Sequence, residues 1–401
     1  MAVLAGCAGR PGFRDGVYRA VLERKDGNEI VFNFDVKDSA GRKVMYIHNA
    51  GERLRVDSVD VTGDSVLIKL PFFESQLRAA VTADGNLDGV WLIHLQEEFR
   101  PMPFRAFYGE DFRFRGDSSV KSEFPVGGRW AAVFRASSGK DTTFRVGEFR
   151  QAGAKVTGTF LDAGGDLRFL EGMMDADTLK LSGFDGNHCF YFTALLSGDS
   201  LVDGKMYSGP TAFSTWTARK DSTAHLEDQD AITKFKNDKP FGFSFKDIDG
   251  NPVSFSDDRF KGKVVLVQIM GSWCPNCMDE TEFLSDFYDA NRGRGVEIVS
   301  LAYERSTDFA RSQRAVRSFQ QRFAVKYPML ITGVTVSDPQ RGAKTLPQLD
   351  DIHDFPTTIY INKKGQIEKI HTGFSGPGTG EHYAEQKKEI YDEVGRLLAE
   401  R

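Results

Sequence analysis

Two thiols sit three residues apart in Trp273-Cys274-Pro275-Asn276-Cys277, directly after the apolar run Val264–Met270. Paired thiols at that spacing carry disulfide exchange, because the first can attack a foreign disulfide and the second can resolve the adduct. The apolar run reads as a buried strand, and residues 278–290 have helical spacing with Phe283, Leu284 and Phe287 on one face. Cys274 then falls at a helix N-terminus, where unpaired N–H groups and the positive end of the macrodipole favour a thiolate. Pro275 supplies a preset φ and gives up only an N–H that has no partner there. This makes Cys274 the attacking sulfur and Cys277, on the same face and more buried, the resolving one. Half of a zinc knuckle is the competing reading, but no second Cys/His pair follows at ligand spacing, and no metal is assigned.

The stretch Gly262-Lys-Val-Val-Leu-Val-Gln-Ile-Met-Gly-Ser-Trp-Cys-Pro-Asn-Cys-Met-Asp-Glu280 resembles the TlpA/ResA-type thioredoxin-like thiol:disulfide oxidoreductases. The resemblance runs from about Lys239 to the C-terminus and has a second anchor in Phe355-Pro356-Thr357-Thr358-Ile359-Tyr360-Ile361. It implies that Pro356 is cis and lies against the active-site disulfide, and that a substrate peptide pairs beside it, since proline offers no competing N–H. It also implies that Trp273 covers the disulfide. Trp273, Pro275, Phe355, Pro356 and Thr357 are thereby candidate substrate-binding residues. Phe355 stands where relatives more often carry a smaller residue, so the redox poise cannot be inherited from them.

Thioredoxin itself manages the proton of its resolving thiol with a buried Asp six residues before the first Cys. That position here is Gln268, which cannot titrate. The family's substitute, a Glu three residues after the second Cys, is Glu280, one turn past Cys277 and on its face. Glu280 is therefore the candidate proton acceptor for Cys277, with a pKa raised by burial. Glu304, at the end of the apolar strand Val296–Ala302, is a candidate second carboxylate. The run Phe374-Ser-Gly-Pro-Gly-Thr-Gly380 reads as a loop that could edge the substrate groove, and lacks the Gly-Lys-Ser/Thr of a phosphate loop.

A chain of 401 residues is expected to hold two or three domains, and its net charge of -5 argues against nucleic acid as a partner. Arg305, Arg311, Arg314, Arg317 and Arg322 lie on a helix read at 307–323, where a solvated face is the default. No apolar run approaches the roughly 18 residues of a membrane-spanning helix. Leu4-Ala5-Gly6-Cys7 matches a bacterial lipobox, making Cys7 a candidate lipidation site, although the signal before it is incomplete in this chain. Of the four cysteines, Cys189 remains; in Asn187-His-Cys-Phe-Tyr-Phe192 it reads as a buried small hydrophobe.

From residue 12 to 219 short alternating runs are punctuated by Asp26-Gly27, Gly63-Asp64, Asp84-Gly85, Gly164-Gly165 and Asp185-Gly186, the pattern of antiparallel hairpins. Gly16-Val-Tyr-Arg-Ala20 recurs as Gly128-Arg-Trp-Ala-Ala132, and two further matches keep an offset of about 112 to 115 residues. The expected architecture is multidomain. Residues 1–11 form a signal remnant or disordered start. An internally duplicated antiparallel all-β region spans 12–219, with halves at 12–120 and 125–219 and a barrel cavity as a further possibility. A linker or exposed helix covers 220–239, and an α/β thioredoxin-like domain covers 240–401.

These readings converge on an extracytoplasmic thiol:disulfide oxidoreductase that reduces protein disulfides through the Cys274–Cys277 pair without another cofactor. The family resemblance implies a membrane thiol reductase as donor, and the lipobox implies anchoring in the bacterial periplasm or cell envelope. Two alternatives come from other classes. A redoxin-type thiol peroxidase would need a Pro-x-x-x-Thr-x-x-Cys context that 267–274 lacks. A lipoprotein whose β region binds a ligand or partner would leave the dithiol secondary.

Overall fold

The computed structural model describes residues 12–71, 74–95, 98–116, 124–236 and 240–400; Cys7 lies outside the described residues. Two antiparallel β units precede an α/β domain. In the first, nine strands from Gly16–Glu23 to Glu98–Tyr108 form a meander in which the first strand pairs with the last, Ala20 opposite Ala106. Its two edges, Glu52–Val56 and Ser58–Thr62, follow one another in sequence, so the sheet is nearly closed. Alternation sets the inner face, and Tyr18, Ala20, Leu22, Phe32, Phe34, Trp91 and Phe104 are all buried there.

The second unit repeats this closure. Gly128–Ala136 pairs on one side with Thr142–Ala152 and on the other with Ala212–Lys220, which shuts the barrel. Each unit opens on a glycine at positive φ, Gly16 at 136° and Gly128 at 112°. The interior holds Trp130, Phe134, Phe149, Phe160, Phe192 and Trp216, with Phe134 stacked on Trp216 at 5.5 Å and Phe160 against Phe192 at 5.1 Å. The barrel cavity entertained from sequence is filled by these rings, each worth roughly 1.5–3 kcal/mol of burial. Phe184 stacks on Phe32 at 4.1 Å and joins the two units. Cys189 is buried and free, as expected, and burial pushes its thiol up to about 12.

The C-terminal domain is a seven-stranded sheet in the order Pro252–Ser254, Ser244–Asp247, Met329–Ile331, Val296–Ala302, Val264–Met270, Thr357–Ile361, Ile367–Thr372. Val264–Met270 runs parallel to Val296–Ala302 and antiparallel to Thr357–Ile361, and every one of its seven residues is buried. Its helices are α1 (Pro275–Asn291), α2 (Phe309–Arg322), α3 (Arg341–Thr345) and α4 (Glu381–Ala399). Asp308 caps α2 by accepting the Arg311 N–H at 2.6 Å.

One alternative falls away and one expectation needs correction. The described part of the 220–239 segment contains no helix and crosses the C-terminal domain as a strap: Lys236 N–H donates to Gln348 O at 2.8 Å, and Asp230 meets Lys369 at 2.8 Å and His371 at 2.7 Å. Arg311 is buried rather than solvated, with Nη2 2.7 Å from Glu74 Oε2 of the first β unit. The helix face read as water-facing is there covered by another domain.

Candidate active site

The central strand ends at Met270, and Gly271-Ser272-Trp273 turn the chain into α1. Cys274 is the N-cap of that helix, with φ −99° and ψ 117°, and its sulfur accepts the Cys277 N–H at 3.2 Å. Pro275 occupies the first helical position. The two sulfurs form a disulfide across a Cα separation of 5.2 Å, with Cys274 3 % exposed and Cys277 fully buried. A backbone donor aimed at the Cys274 sulfur is the local charge stabilisation that an attacking thiolate requires.

The Phe355–Pro356 peptide is cis, and the Phe355 carbonyl oxygen lies 3.7 Å from the Cys274 sulfur. Trp273 donates its indole N–H to Tyr303 O at 2.8 Å and meets the Phe355 ring edge-on at 5.4 Å. A Cβ at position 271 would collide with that indole, so Gly271 lets Trp273 fold back over the strand end. Thr357 is turned inward: its hydroxyl donates to Asp354 O at 2.8 Å, bracing the Pro356 turn from behind.

Glu280 is buried one turn past Cys277, between two donors. Thr358 Oγ1 donates to its Oε1 at 2.7 Å and Gln268 Nε2 to its Oε2 at 2.8 Å. Burial pushes its pKa up to about 7, against the opposing pull of those hydrogen bonds. Gln268, which cannot titrate, is instead a positioning donor, its own oxygen accepting Ser300 Oγ at 2.6 Å. Glu304 is also buried, but it accepts Ser272 N–H at 2.9 Å and Ser272 Oγ at 2.7 Å, which ties down the turn before Cys274.

Sequence reasoning missed the residues of the barrel that reach this site. Asn276 Nδ2 donates to Gly164 O at 2.9 Å, and Asn187 Nδ2 donates to Trp273 O at 3.0 Å. Arg168 bridges Glu52 of the first β unit and Asp279 of α1, the latter at 3.0 Å, and lies 3.4 Å from Pro275 O. Both carboxylates hold its guanidinium charged. Gly164-Gly165 is legible only as a turn, and nothing in its pattern names a partner more than 100 residues away.

Residues 229–387 match the Redoxin family model, and the strand order and dithiol above are those of a thioredoxin-like domain. The chain is similar to "Thiol-disulfide oxidoreductase ResA" of Bacillus subtilis (strain 168), 30% identical over 132 residues, which cover 33% of this chain and 64% of that one. The protein of the same name from Halalkalibacterium halodurans is 28% identical over 132 residues, 33% of this chain and 65% of that one. The chain thus spans slightly less than two thirds of the length of these relatives. Among solved structures, a putative thiol:disulfide interchange protein DsbE from Chlorobium tepidum aligns with 17% identity over 41% of this chain and 98% of its own, at a TM-score of 0.31. StoA from Bacillus subtilis aligns with 23% identity over 38% and 98%, at a TM-score of 0.27.

Proposed function

We propose that this protein is a thiol:disulfide oxidoreductase that reduces disulfides in other proteins outside the cytoplasm. The observation that carries the reading is the placement of the Cys274 sulfur: it receives a helix N-terminal N–H and faces the carbonyl that precedes a cis-proline. In the reduced state the Cys274 thiolate attacks one substrate sulfur, forming a mixed disulfide and expelling the other as a thiolate that takes a proton from water. Cys277 then gives its proton to the Glu280 carboxylate and attacks the Cys274 sulfur. The Cys274–Cys277 bond forms, and the second substrate thiolate leaves. Two electrons have passed from the protein dithiol to the substrate disulfide, and a dithiol donor must restore them.

Trp273, Pro275, Phe355 and Pro356 form the contact surface for the substrate in this reading, and Thr357 supports it from within. The donor is a membrane thiol reductase, and a lipid on Cys7 holds the protein at the envelope. The test is reduction of a model protein disulfide by the pre-reduced full chain. Turnover that disappears in Cys274→Ser supports the proposal, whereas a Cys274→Ser variant as active as the wild type contradicts it.

A further inference from the structure

The turn after the strand Lys155–Asp162 lies among three loops that surround the dithiol. Gly164 O accepts both the Asn276 side-chain amide at 2.9 Å and the Phe374 N–H at 3.3 Å. Gly165 pairs with Phe374 as a parallel β-bridge, and the neighbouring Gly373 N–H donates to Pro356 O at 2.7 Å. A Cβ on Gly165 would collide with the Phe374 carbonyl, so the approach admits only glycine there, and Gly164 lies against the Asp354 carboxylate. Arg168 clamps the same turn to Asp279 and Pro275 O while holding φ at 54°, a conformation that side chains seldom adopt. On the opposite flank Asn187 bonds Trp273 O and accepts from Arg305, whose guanidinium lies 5.8 Å from the Trp273 ring centre.

The loops at 273–276, 354–355 and 373–376 are therefore all engaged by the β half, and Cys274, the sulfur that has to meet a substrate, is left 3 % exposed. An extended backbone pairing with loops beside the cis-proline is how an incoming peptide would be held by strand addition. We infer that the turn at 162–168 is an intramolecular occupant of the substrate groove, and that the β half selects what reaches Cys274 by yielding this place to an extended, disulfide-bearing peptide. The hydrogen bonds that hold the turn in place are few: the Arg168 clamp, the Asn276–Gly164 bond and the bridge to Phe374. This inference rests on the oxidoreductase reading for its substrate, but not for the occlusion itself.

The test uses the reduced full chain, with mass spectrometry locating the label. Alkylation of Cys274 is timed with iodoacetamide and with a maleimide carrying a long polyethylene glycol chain, and reduction of an unfolded protein disulfide is timed alongside. Gly165→Val, which removes the space for the turn, and Arg168→Glu, which reverses its clamp, are compared with wild type after circular dichroism confirms folding. Both variants are expected to react about tenfold faster or more, with the larger gain for the bulky maleimide. Rates in a folded variant equal to those of wild type would overturn the inference. So would wild-type Cys274 reacting with iodoacetamide as fast as a thiol in an unstructured peptide, a result that needs no variant. If alkylation accelerates but no form reduces a protein disulfide, the occlusion stands and the oxidoreductase reading fails. If wild type and variants reduce it equally well, the reading stands and the occlusion fails.

Discussion

Thr358 Oγ1 donates to Glu280 Oε1 at 2.7 Å, joining the strand that follows the cis-proline to the helix that carries both thiols. The same carboxylate takes Gln268 Nε2 on its other oxygen, so the carboxyl one helical turn past Cys277 is fixed by two adjacent strands. A carboxyl held this way titrates near neutrality because burial outweighs its two donors.

Replacing Glu280 by Gln should slow the second step. In a single-turnover experiment the mixed disulfide is expected to form at the wild-type rate and to resolve about 100-fold more slowly, within the range typical of general-base catalysis. The wild-type resolution rate should rise with pH through about 7 as Glu280 ionises, and the variant should lose that inflection. Resolution at the wild-type rate in Glu280→Gln would remove the carboxylate from the mechanism.

The same group makes a stability prediction. Its pKa is higher in the fold, about 7, than its ordinary 4.5, so ionisation is disfavoured in the native state. The stability it contributes is fully present below pH 4.5 and is lost as pH rises through about 7. Denaturant unfolding at about pH 5 and pH 8 should show Glu280→Gln gaining on wild type at the higher pH, by up to about 3 kcal/mol. A difference independent of pH would contradict the assignment.

Cys277→Ser should trap the first intermediate. With the resolving thiol gone, a substrate disulfide is expected to remain attached to Cys274 as a stable adduct visible by intact mass, and Cys274→Ser should form none. An adduct on Cys277 in the Cys274→Ser variant would reverse the two roles.

Phe160 lies in the middle of the barrel, in contact with Phe134, Phe149, Phe192 and Trp216. Phe160→Ala is expected to cost roughly 3–5 kcal/mol of the barrel's stability. The midpoint potential of the dithiol should not move, because these aromatic partners of the ring all belong to the barrel interior. A shifted potential with little loss of stability would show that the barrel interior, and not its rim, communicates with the site.

The parts of this molecule set by local chemistry were legible in the sequence. Cys274, Cys277 and Glu280 sit on one strand–turn–helix segment whose apolar run, proline and helical spacing fix their relative positions. The antiparallel β region was legible from its turn pairs, because Asp-Gly and Gly-Asp supply the backbone that hairpins need. The contacts between domains were not. Arg311 and Glu74 are 237 residues apart, and an arginine on a polar helix face looks the same whether water or a carboxylate meets it. Arg168 and Asp279 pair across 111 residues, and the glycines at 164 and 165 carry no sign that their missing side chains make room for another domain. Thr357 pointed the wrong way for a groove residue, since the bend at Pro356 turns its hydroxyl back to Asp354.

The most direct measurement of the central claim is the midpoint potential of the Cys274/Cys277 pair, obtained by equilibrating the full chain with thiol/disulfide buffers and trapping free thiols. A reductase of protein disulfides is predicted to titrate at about -250 mV or below, on the scale that separates thioredoxin from DsbA. A value above about -150 mV would make the pair an oxidant and contradict the proposed direction, and a pair that does not titrate at all would contradict the redox function itself.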